Sequence, residues 1–82
     1  MERDLVCFKI FSILKEILDD DFTKVKESTS FDKDLKFDSL DSIELIIQIE
    51  DEFKIELDDE EIEKVETIKD LINYVQLKVN EQ

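Results

Sequence analysis

The complete absence of glycine and proline is the feature of this 82-residue sequence that most constrains its fold. The tight turns of β-hairpins and β-sandwiches depend on these two residue types, so their absence disfavours an all-β architecture. Hydrophobic residues make up 41% of the chain, which is enough for a modest core at this length. We therefore predict a single small domain over residues 1–82, built from helices with polar connections.

The spacing of apolar residues divides the chain into four predicted helices. They cover residues 4–18, 39–53 and 59–65, and a fourth helix begins after Thr67, with residues 80–82 as a fraying tail. Possible N-terminal capping pairs are Asp38 with Asp41, Asp58 with Glu61, and Thr67 with Asp70. The predicted fold class is all-α: a small four-helix bundle with three longer helices, one short third helix and a long first loop.

The long first loop covers residues 19–38, and loops of this length in compact domains are more often functional than idle. Its apolar side chains are expected to hold it on the core: Phe22, Val25, Phe31, Leu35 and Phe37. The second helix follows at once and is strongly apolar. More than half of its circumference carries apolar side chains: Leu40, Ile43, Leu45, Ile46, Ile47, Ile49 and Phe53. We expect this helix to be mostly buried, with an almost purely acidic strip exposed.

Ser39 stands at the predicted start of the second helix, directly after the cap residue Asp38. A hydroxyl at this point is exposed, close to unpaired backbone N–H groups, and at the positive end of the helix dipole. Such a place suits a phosphate ester. The chain contains no histidine, so no imidazole is available to activate the hydroxyl as a nucleophile. We interpret Ser39 as a site of attachment.

The charge of the chain narrows the classes of partner. Twenty-four acidic residues against eleven basic ones give a formal net charge of −13, which disfavours nucleic acid and anionic lipid and favours proteins with basic patches. A calcium-binding loop beginning at Asp32 would have Phe37 in place of the invariant glycine and Ile43 in place of the final glutamate. We predict no specific metal site, and loose cation binding at most along the acidic residues 58–63.

The N-terminal region is charged, and Lys9 interrupts its apolar stretch, which argues against a signal peptide or a membrane-inserted span. Cys7 is the only cysteine, so no internal disulfide can form, and we expect a buried structural thiol. These features favour a cytoplasmic location or an equivalent reducing compartment.

Residues 30–75 resemble acyl carrier proteins of the dissociated (type II) kind. The resemblance lies in Ser30-Phe31, Asp34-Leu35, Asp38-Ser39-Leu40-Asp41, Ile43-Glu44-Leu45, Glu50-Asp51-Glu52-Phe53, residues 59–65 and Tyr74. It implies a carrier and not an enzyme, with 4′-phosphopantetheine from coenzyme A attached covalently to Ser39 and acyl groups held as thioesters on it. It also implies a monomer that receives the group from a phosphopantetheinyl transferase and serves fatty acid synthesis enzymes through basic docking patches.

Two further groups of residues take roles from the resemblance. The docking residues on the acidic second helix are Asp38, Asp41, Glu44, Glu50 and Asp51. The apolar positions that form the core and would also shelter the acyl chain are Phe31, Ile46, Ile49, Leu57, Ile62, Val65, Leu71 and Tyr74. Some family members have alanine where Ile62 and Leu71 stand, so we expect a narrow pocket that favours shorter chains or shelters the acyl chain more weakly.

The chain departs from the family pattern in two places. Lys36 stands where the family usually has glycine, and a lysine is strained there if that position requires a positive φ. Asp58 stands where a proline is common before the third helix. Two alternatives to a fatty acid carrier stay open: a carrier for a related pathway (polyketide, lipoic acid precursor or aminoacyl), and an acidic protein-interaction module without a prosthetic group.

Overall fold

A computed structural model describes residues 2–18 and 25–81 of the chain. The helices are α1 (Arg3–Leu18), α2 (Ser39–Phe53), α3 (Asp59–Ile62) and α4 (Ile68–Asn80). Three of them are long, the third is a single turn, and no extended strand occurs in the described ranges. The predicted all-α fold class is confirmed. The predicted contact of Phe22 and the predicted loop position of residues 19–21 lie outside the described residues.

The core lies where α1 packs against both α2 and α4. Each helix contributes a stripe of residues at helical spacing, and Ile55 joins them from the segment after α2. The buried side chains on the helices are Val6, Ile10, Ile13, Leu14, Leu45, Ile49, Phe53, Ile68, Leu71, Ile72 and Val75. Cys7 packs against this core as a structural residue would, but it is only partly buried, so the expectation of a buried thiol is wrong in degree.

Local hydrogen bonds fix both ends of α2. The Asp38 carboxylate accepts a hydrogen bond from the Asp41 N–H at 2.9 Å, and the Asp41 carboxylate accepts one from the Asp38 N–H at 3.4 Å. At the other end Lys54 takes the left-handed conformation (φ 56°), and its N–H donates to the Glu50 carbonyl oxygen. The predicted bounds of this helix and its capping pair are therefore confirmed.

The start of α4 is also as predicted. The Asp70 N–H donates to the Thr67 hydroxyl oxygen at 3.2 Å, and the Thr67 N–H donates to the Asp70 carboxylate at 3.2 Å. The helix continues through Asn80, so the predicted start of the fraying tail at residue 80 is wrong by one residue. In both capping pairs the two residues are three positions apart in the sequence, so the pairs can be recognised from the sequence alone.

The third helix differs from the prediction in length and in capping. It ends at Ile62 rather than at residue 65, because the chain tightens into turns in which the Lys64 N–H donates to Glu61 and the Val65 N–H donates to Ile62. This brings Val65 against the core. The Asp58 carboxylate makes no capping hydrogen bond, so the predicted Asp58–Glu61 pair is wrong.

The loop before α2 is tied to the start of α4. The Phe31 N–H donates to the Glu66 carbonyl oxygen at 3.0 Å, and the Ile68 N–H donates to the Thr29 carbonyl oxygen at 3.1 Å, around an isolated antiparallel bridge between Ser30 and Thr67. The predicted contacts with the core are confirmed for the described apolar residues of the loop: Val25, Phe31, Leu35 and Phe37.

The burial of α2 corrects the sequence prediction. Only Leu45, Ile49 and Phe53 are buried on this helix, at positions i, i+4 and i+8. The opposite side exposes apolar residues to solvent: Leu40 by 75%, Ile43 by 52% and Ile47 by 58%. The helix packs extensively against α1 alone among the long helices, so one stripe suffices to bury it. Its exposed face is therefore mixed, not almost purely acidic.

Candidate functional site

Ser39 is exposed and is the first residue of α2. The capping box occupies the Asp41 N–H, and the Ser42 N–H donates to the Asp38 carbonyl oxygen at 3.1 Å. Within the described residues, the backbone N–H groups of Ser39 and Leu40 therefore remain available to an incoming acceptor. An exposed hydroxyl beside two such donors, at the positive end of a helix, fits a phosphodiester.

The negative charges closest to Ser39 in sequence are already engaged in the cap. Asp38 and Asp41 bond to each other's backbone and stand on either side of the hydroxyl in sequence. Their carboxylates oppose any further negative charge at this point, whereas the helix dipole favours it. For a negative charge attached to Ser39, the backbone at the helix start is therefore favourable and the neighbouring carboxylates are unfavourable.

The turn that leads into Ser39 contains Lys36 in the left-handed conformation, with a φ of 53°. The sequence predicts strain at Lys36 if this position requires a positive φ, and it does. The conformation costs a residue with a Cβ about 1–2 kcal/mol. Directly after it, the Phe37 N–H donates to the Phe31 carbonyl oxygen at 2.9 Å, and the two phenyl rings lie 5.4 Å apart. The turn is thus held by both backbone and ring contacts.

The five predicted docking residues are spread along the whole length of α2. Asp38, Asp41 and Glu44 lie in the first turns of α2, but Asp51 lies about 18 Å along the helix from Ser39 at 1.5 Å per residue. Glu50 is partly buried, and its carboxylate accepts a hydrogen bond from the Leu57 N–H at 2.9 Å. The structure therefore places Glu50 against the segment after α2, where it has a structural contact.

Sequence reasoning missed the exposed apolar residues of α2. Leu40, Ile43 and Ile47 follow one another at spacings of three and four, so they share one side of the helix. Leu45, Ile49 and Phe53 form a second stripe on the opposite side. Two apolar stripes on one helix were the available signal, because a helix with a single partner can bury only one.

A cavity of about 70 Å³ lies between α2, α3 and α4. Its lining residues are Phe31, Phe37, Ser42, Leu45, Ile46, Ile62, Val65 and Leu71. Of the predicted pocket residues, Ile49, Leu57 and Tyr74 are absent from this lining. Ile49 is fully buried in the core, whereas Tyr74 contacts the segment before α3. The lining residues not predicted are Phe37, Ser42 and Leu45.

The cavity adjoins a wider surface groove of about 550 Å³. Both are lined by Phe31, Phe37, Ser42 and Val65, and the groove continues over polar residues to Glu63 and Glu66. The interior is therefore reached from the surface along the side of the molecule where the first loop meets the end of α3.

Comparison with known proteins identifies the family. The family model described as "phosphopantetheine attachment site" matches residues 9–75. The chain is 43% identical to the acyl carrier protein of Clostridium acetobutylicum over 77 residues, which cover 94% of this chain and all of that protein. The chain belongs to the acyl carrier protein family.

Further relatives agree. An acyl carrier protein of Thermosynechococcus vestitus is 40% identical over 79 residues, covering 96% of this chain and 98% of that protein. The crystal structure of an acyl carrier protein from Thermotoga maritima matches with a TM-score of 0.81 and 42% identity, covering 99% of this chain and 94% of that one. The family implies covalently bound 4′-phosphopantetheine, acyl groups as cargo and interaction with synthesis enzymes, and its members are carriers rather than catalysts.

No helix among the described residues combines the length and apolar character needed to cross a membrane. No group of three or more histidine, cysteine, aspartate or glutamate side chains among residues 2–18 and 25–81 is arranged to hold a metal ion.

Proposed function

We propose that this acyl carrier protein bears 4′-phosphopantetheine on Ser39 and delivers acyl intermediates to the enzymes of fatty acid synthesis through the exposed face of α2. The observation that carries the proposal is the exposed Ser39 hydroxyl at a capped helix start, inside the segment that matches the attachment-site family. When bound, the group supplies a flexible arm whose terminal thiol holds acyl groups as thioesters.

The chain itself contributes position and charge to the attachment. In the transfer the Ser39 oxygen bonds to the phosphorus of coenzyme A that bears the pantetheine arm, and the pyrophosphate bond to the adenosine half breaks. Adenosine 3′,5′-bisphosphate leaves with the bonding electron pair, and a base of the transferase takes the serine proton, because the chain has no histidine. The free N–H groups of Ser39 and Leu40 are available to a phosphodiester oxygen. The pair Asp38 and Asp41 holds the helix start rigid, so the attached group projects from a fixed point.

Delivery rests on the mixed face of α2, which comprises the exposed residues Leu40, Ile43, Glu44, Ile47 and Asp51. Three large apolar side chains exposed together on one helix face are typical of a surface that a partner covers. Carboxylates beside them attract a basic partner and raise the rate of encounter, while the apolar contacts contribute most of the affinity. This combination favours a basic enzyme surface with an apolar centre.

The cavity supports cargo of limited length. A volume of about 70 Å³ exceeds the roughly 10–15 Å³ that one water molecule requires, but it is small beside the roughly 300–1,000 Å³ of typical ligand pockets. Each methylene that enters gains roughly 0.8 kcal/mol relative to water. Because Ile62 and Leu71 stand in the wall, we propose that short acyl chains are sheltered and that longer ones extend into the groove.

The attachment is tested by incubating the apo-protein with a phosphopantetheinyl transferase and coenzyme A, followed by intact mass spectrometry. The expected result is a mass gain of one phosphopantetheine that disappears in Ser39→Ala. Ser42→Ala is the matched control, because this serine lies one turn further along the same helix and faces the cavity. An unchanged mass of the wild type, or equal loading of Ser39→Ala, would contradict the proposal.

The pathway is tested separately, by the mass of the load on protein isolated from its native source. Saturated or 3-hydroxyacyl loads support fatty acid synthesis, whereas an amino acid or a methyl-branched polyketide load would replace it with one of the related pathways. We further propose that the carrier acts as a monomer in the cytoplasm, in keeping with its strong self-repulsion and its single cysteine.

A further inference from the structure

Two lysines in the left-handed conformation flank α2. Lys36 (φ 53°) lies three residues before the first helical residue, and Lys54 (φ 56°) follows the last one. They are the only non-glycine residues with positive φ in the described ranges. A lysine is unfavourable in this conformation, so each position calls for a physical reason.

The conformation of Lys54 is accounted for by the helix end. Its N–H closes the last turn on the Glu50 carbonyl oxygen, its positive charge lies at the negative end of the helix dipole, and its ammonium is 3.7 Å from the Asp51 carboxylate. Neither the closing hydrogen bond nor the favourable dipole interaction applies to Lys36. This residue precedes the helix instead of ending it, and its charge lies near the positive end of the same dipole, where a cation is disfavoured.

The two carboxylates nearest to Lys36 in sequence, those of Asp34 and Asp38, are occupied by backbone groups. Asp34 accepts from the Ser30 N–H at 2.7 Å, and Asp38 and Asp41 form the capping box. Among residues 2–18 and 25–81, no ion pair within 4.0 Å includes Lys36, and its side chain is exposed. An exposed cation thus stands beside the attachment point without a protein partner in this part of the chain.

We infer that Lys36 is a positioning residue that pairs with the phosphodiester on Ser39; the inference rests on the proposed attachment there. Three residues of chain span at most about 11 Å between Cα atoms, and the flexible lysine stem covers part of that distance. The ammonium would offset the repulsion that Asp38 and Asp41 exert on the added charge. It would also hold the base of the arm on the side of the helix start where the first loop lies.

The test compares apo and loaded protein at low ionic strength, after mass spectrometry has shown complete loading. The measured quantity is the change in melting temperature that loading causes, in the wild type, Lys36→Gln, Lys36→Arg and Lys54→Gln. Lys54→Gln is the matched control, because it removes the same charge from the same backbone conformation at the other end of α2.

In Lys36→Gln we expect the change on loading to be more negative than in the wild type by about 2–5 °C, and the difference to shrink in 0.5 M salt. Lys36→Arg and Lys54→Gln are expected to behave like the wild type. The ³¹P resonance of the phosphodiester should shift in Lys36→Gln and stay in place in Lys54→Gln.

Two outcomes would overturn the inference: the same change on loading in Lys36→Gln and Lys54→Gln, or a ³¹P resonance that does not respond to Lys36→Gln. A protein that gains no mass would instead overturn the attachment itself, so the two failures are distinguishable. Lys36→Gly adds an internal check, because it removes both the strain and the charge. It should raise the melting temperature of the apo-protein while reproducing the loading defect of Lys36→Gln.

Discussion

The phenol oxygen of Tyr74 accepts a hydrogen bond from the backbone N–H of Asp58 at 2.9 Å. This contact joins α4 to the segment that enters α3. The same segment is held on its other side by Glu50, whose carboxylate accepts from the Leu57 N–H. Two neighbouring helices therefore fix the approach to the short helix, and the Asp58 side chain does not.

Tyr74→Phe is expected to destabilise the fold by about 0.5–1.5 kcal/mol, because it removes the acceptor and leaves the ring in place. For a domain of this size the melting temperature should fall by roughly 2–10 °C. Asp58→Ala keeps the backbone N–H and removes a carboxylate that caps nothing, so it should change stability by less than about 0.5 kcal/mol. Chemical denaturation of both variants measures this. A larger loss in Asp58→Ala than in Tyr74→Phe would show that the carboxylate does cap α3.

Glu44→Lys should weaken binding to a basic partner enzyme by about tenfold, mainly by slowing association. Glu60→Lys is the control: it makes the same change of charge at an exposed glutamate on α3, away from the exposed face of α2. Surface plasmon resonance with the transferase gives both rate constants. Equal losses from the two variants would mean that the partner senses net charge and not this face.

Ile43→Ser tests the apolar part of the same face. The side chain is 52% exposed, so its replacement should leave the melting temperature nearly unchanged. Binding to the partner should weaken because the complex loses a desolvated apolar contact, and the loss should appear in the dissociation rate. Unchanged dissociation would exclude Ile43 from the contact surface.

Ile62→Ala should extend the range of chain lengths that the protein shelters. In the wild type, thermal stabilisation by the acyl group should rise with length and level off early, because the cavity measures about 70 Å³. In the variant, stabilisation should stop rising only at an acyl chain several carbons longer, because the shortened side chain enlarges the cavity next to α3. Melting curves for a series of acylated proteins measure both. Equal stabilisation by long and short chains in the wild type would contradict a size limit.

Cys7 should make stability depend on pH above neutrality. Burial raises the pKa of the Cys7 thiol, and Glu27 raises it further. A raised pKa in the folded state stabilises the fold fully below the unfolded value, about 8.5, and this contribution is lost as the pH rises through the folded value. As the pH rises above about 8.5, the apo wild type should therefore lose more stability than Cys7→Ala. Parallel curves for the two proteins would show that the folded thiol titrates normally.

The parts of the fold that could be predicted from sequence are those decided by neighbours in the chain. The start of α2 follows from Asp38 and Asp41, three residues apart, and the start of α4 follows from Thr67 and Asp70 in the same way. The exposure and helix position of Ser39 depend on this local chemistry too. The family resemblance then supplied the type of cargo, which no local pattern contains.

The errors concern features that depend on distant partners. The entry into α3 depends on Tyr74, sixteen residues beyond Asp58. The exposure of Ile47 depends on how many helices pack against α2, and the spacing of apolar residues within α2 does not reveal that number. The cavity lining includes Phe37 because the positive φ at Lys36 turns the chain, and the sequence shows lysine where glycine would have signalled that turn.

The hydrogen bond from the Phe31 N–H to the Glu66 carbonyl oxygen links the cavity to the start of α4. Phe31 lines the cavity, and its backbone is bonded to the residue that precedes the cap of α4. An acyl group that displaces the Phe31 ring must therefore also strain the hydrogen bonds at the start of α4. Amide hydrogen exchange at Ile68 and Lys69, whose N–H groups donate to the same loop, would then report whether the interior is empty or filled.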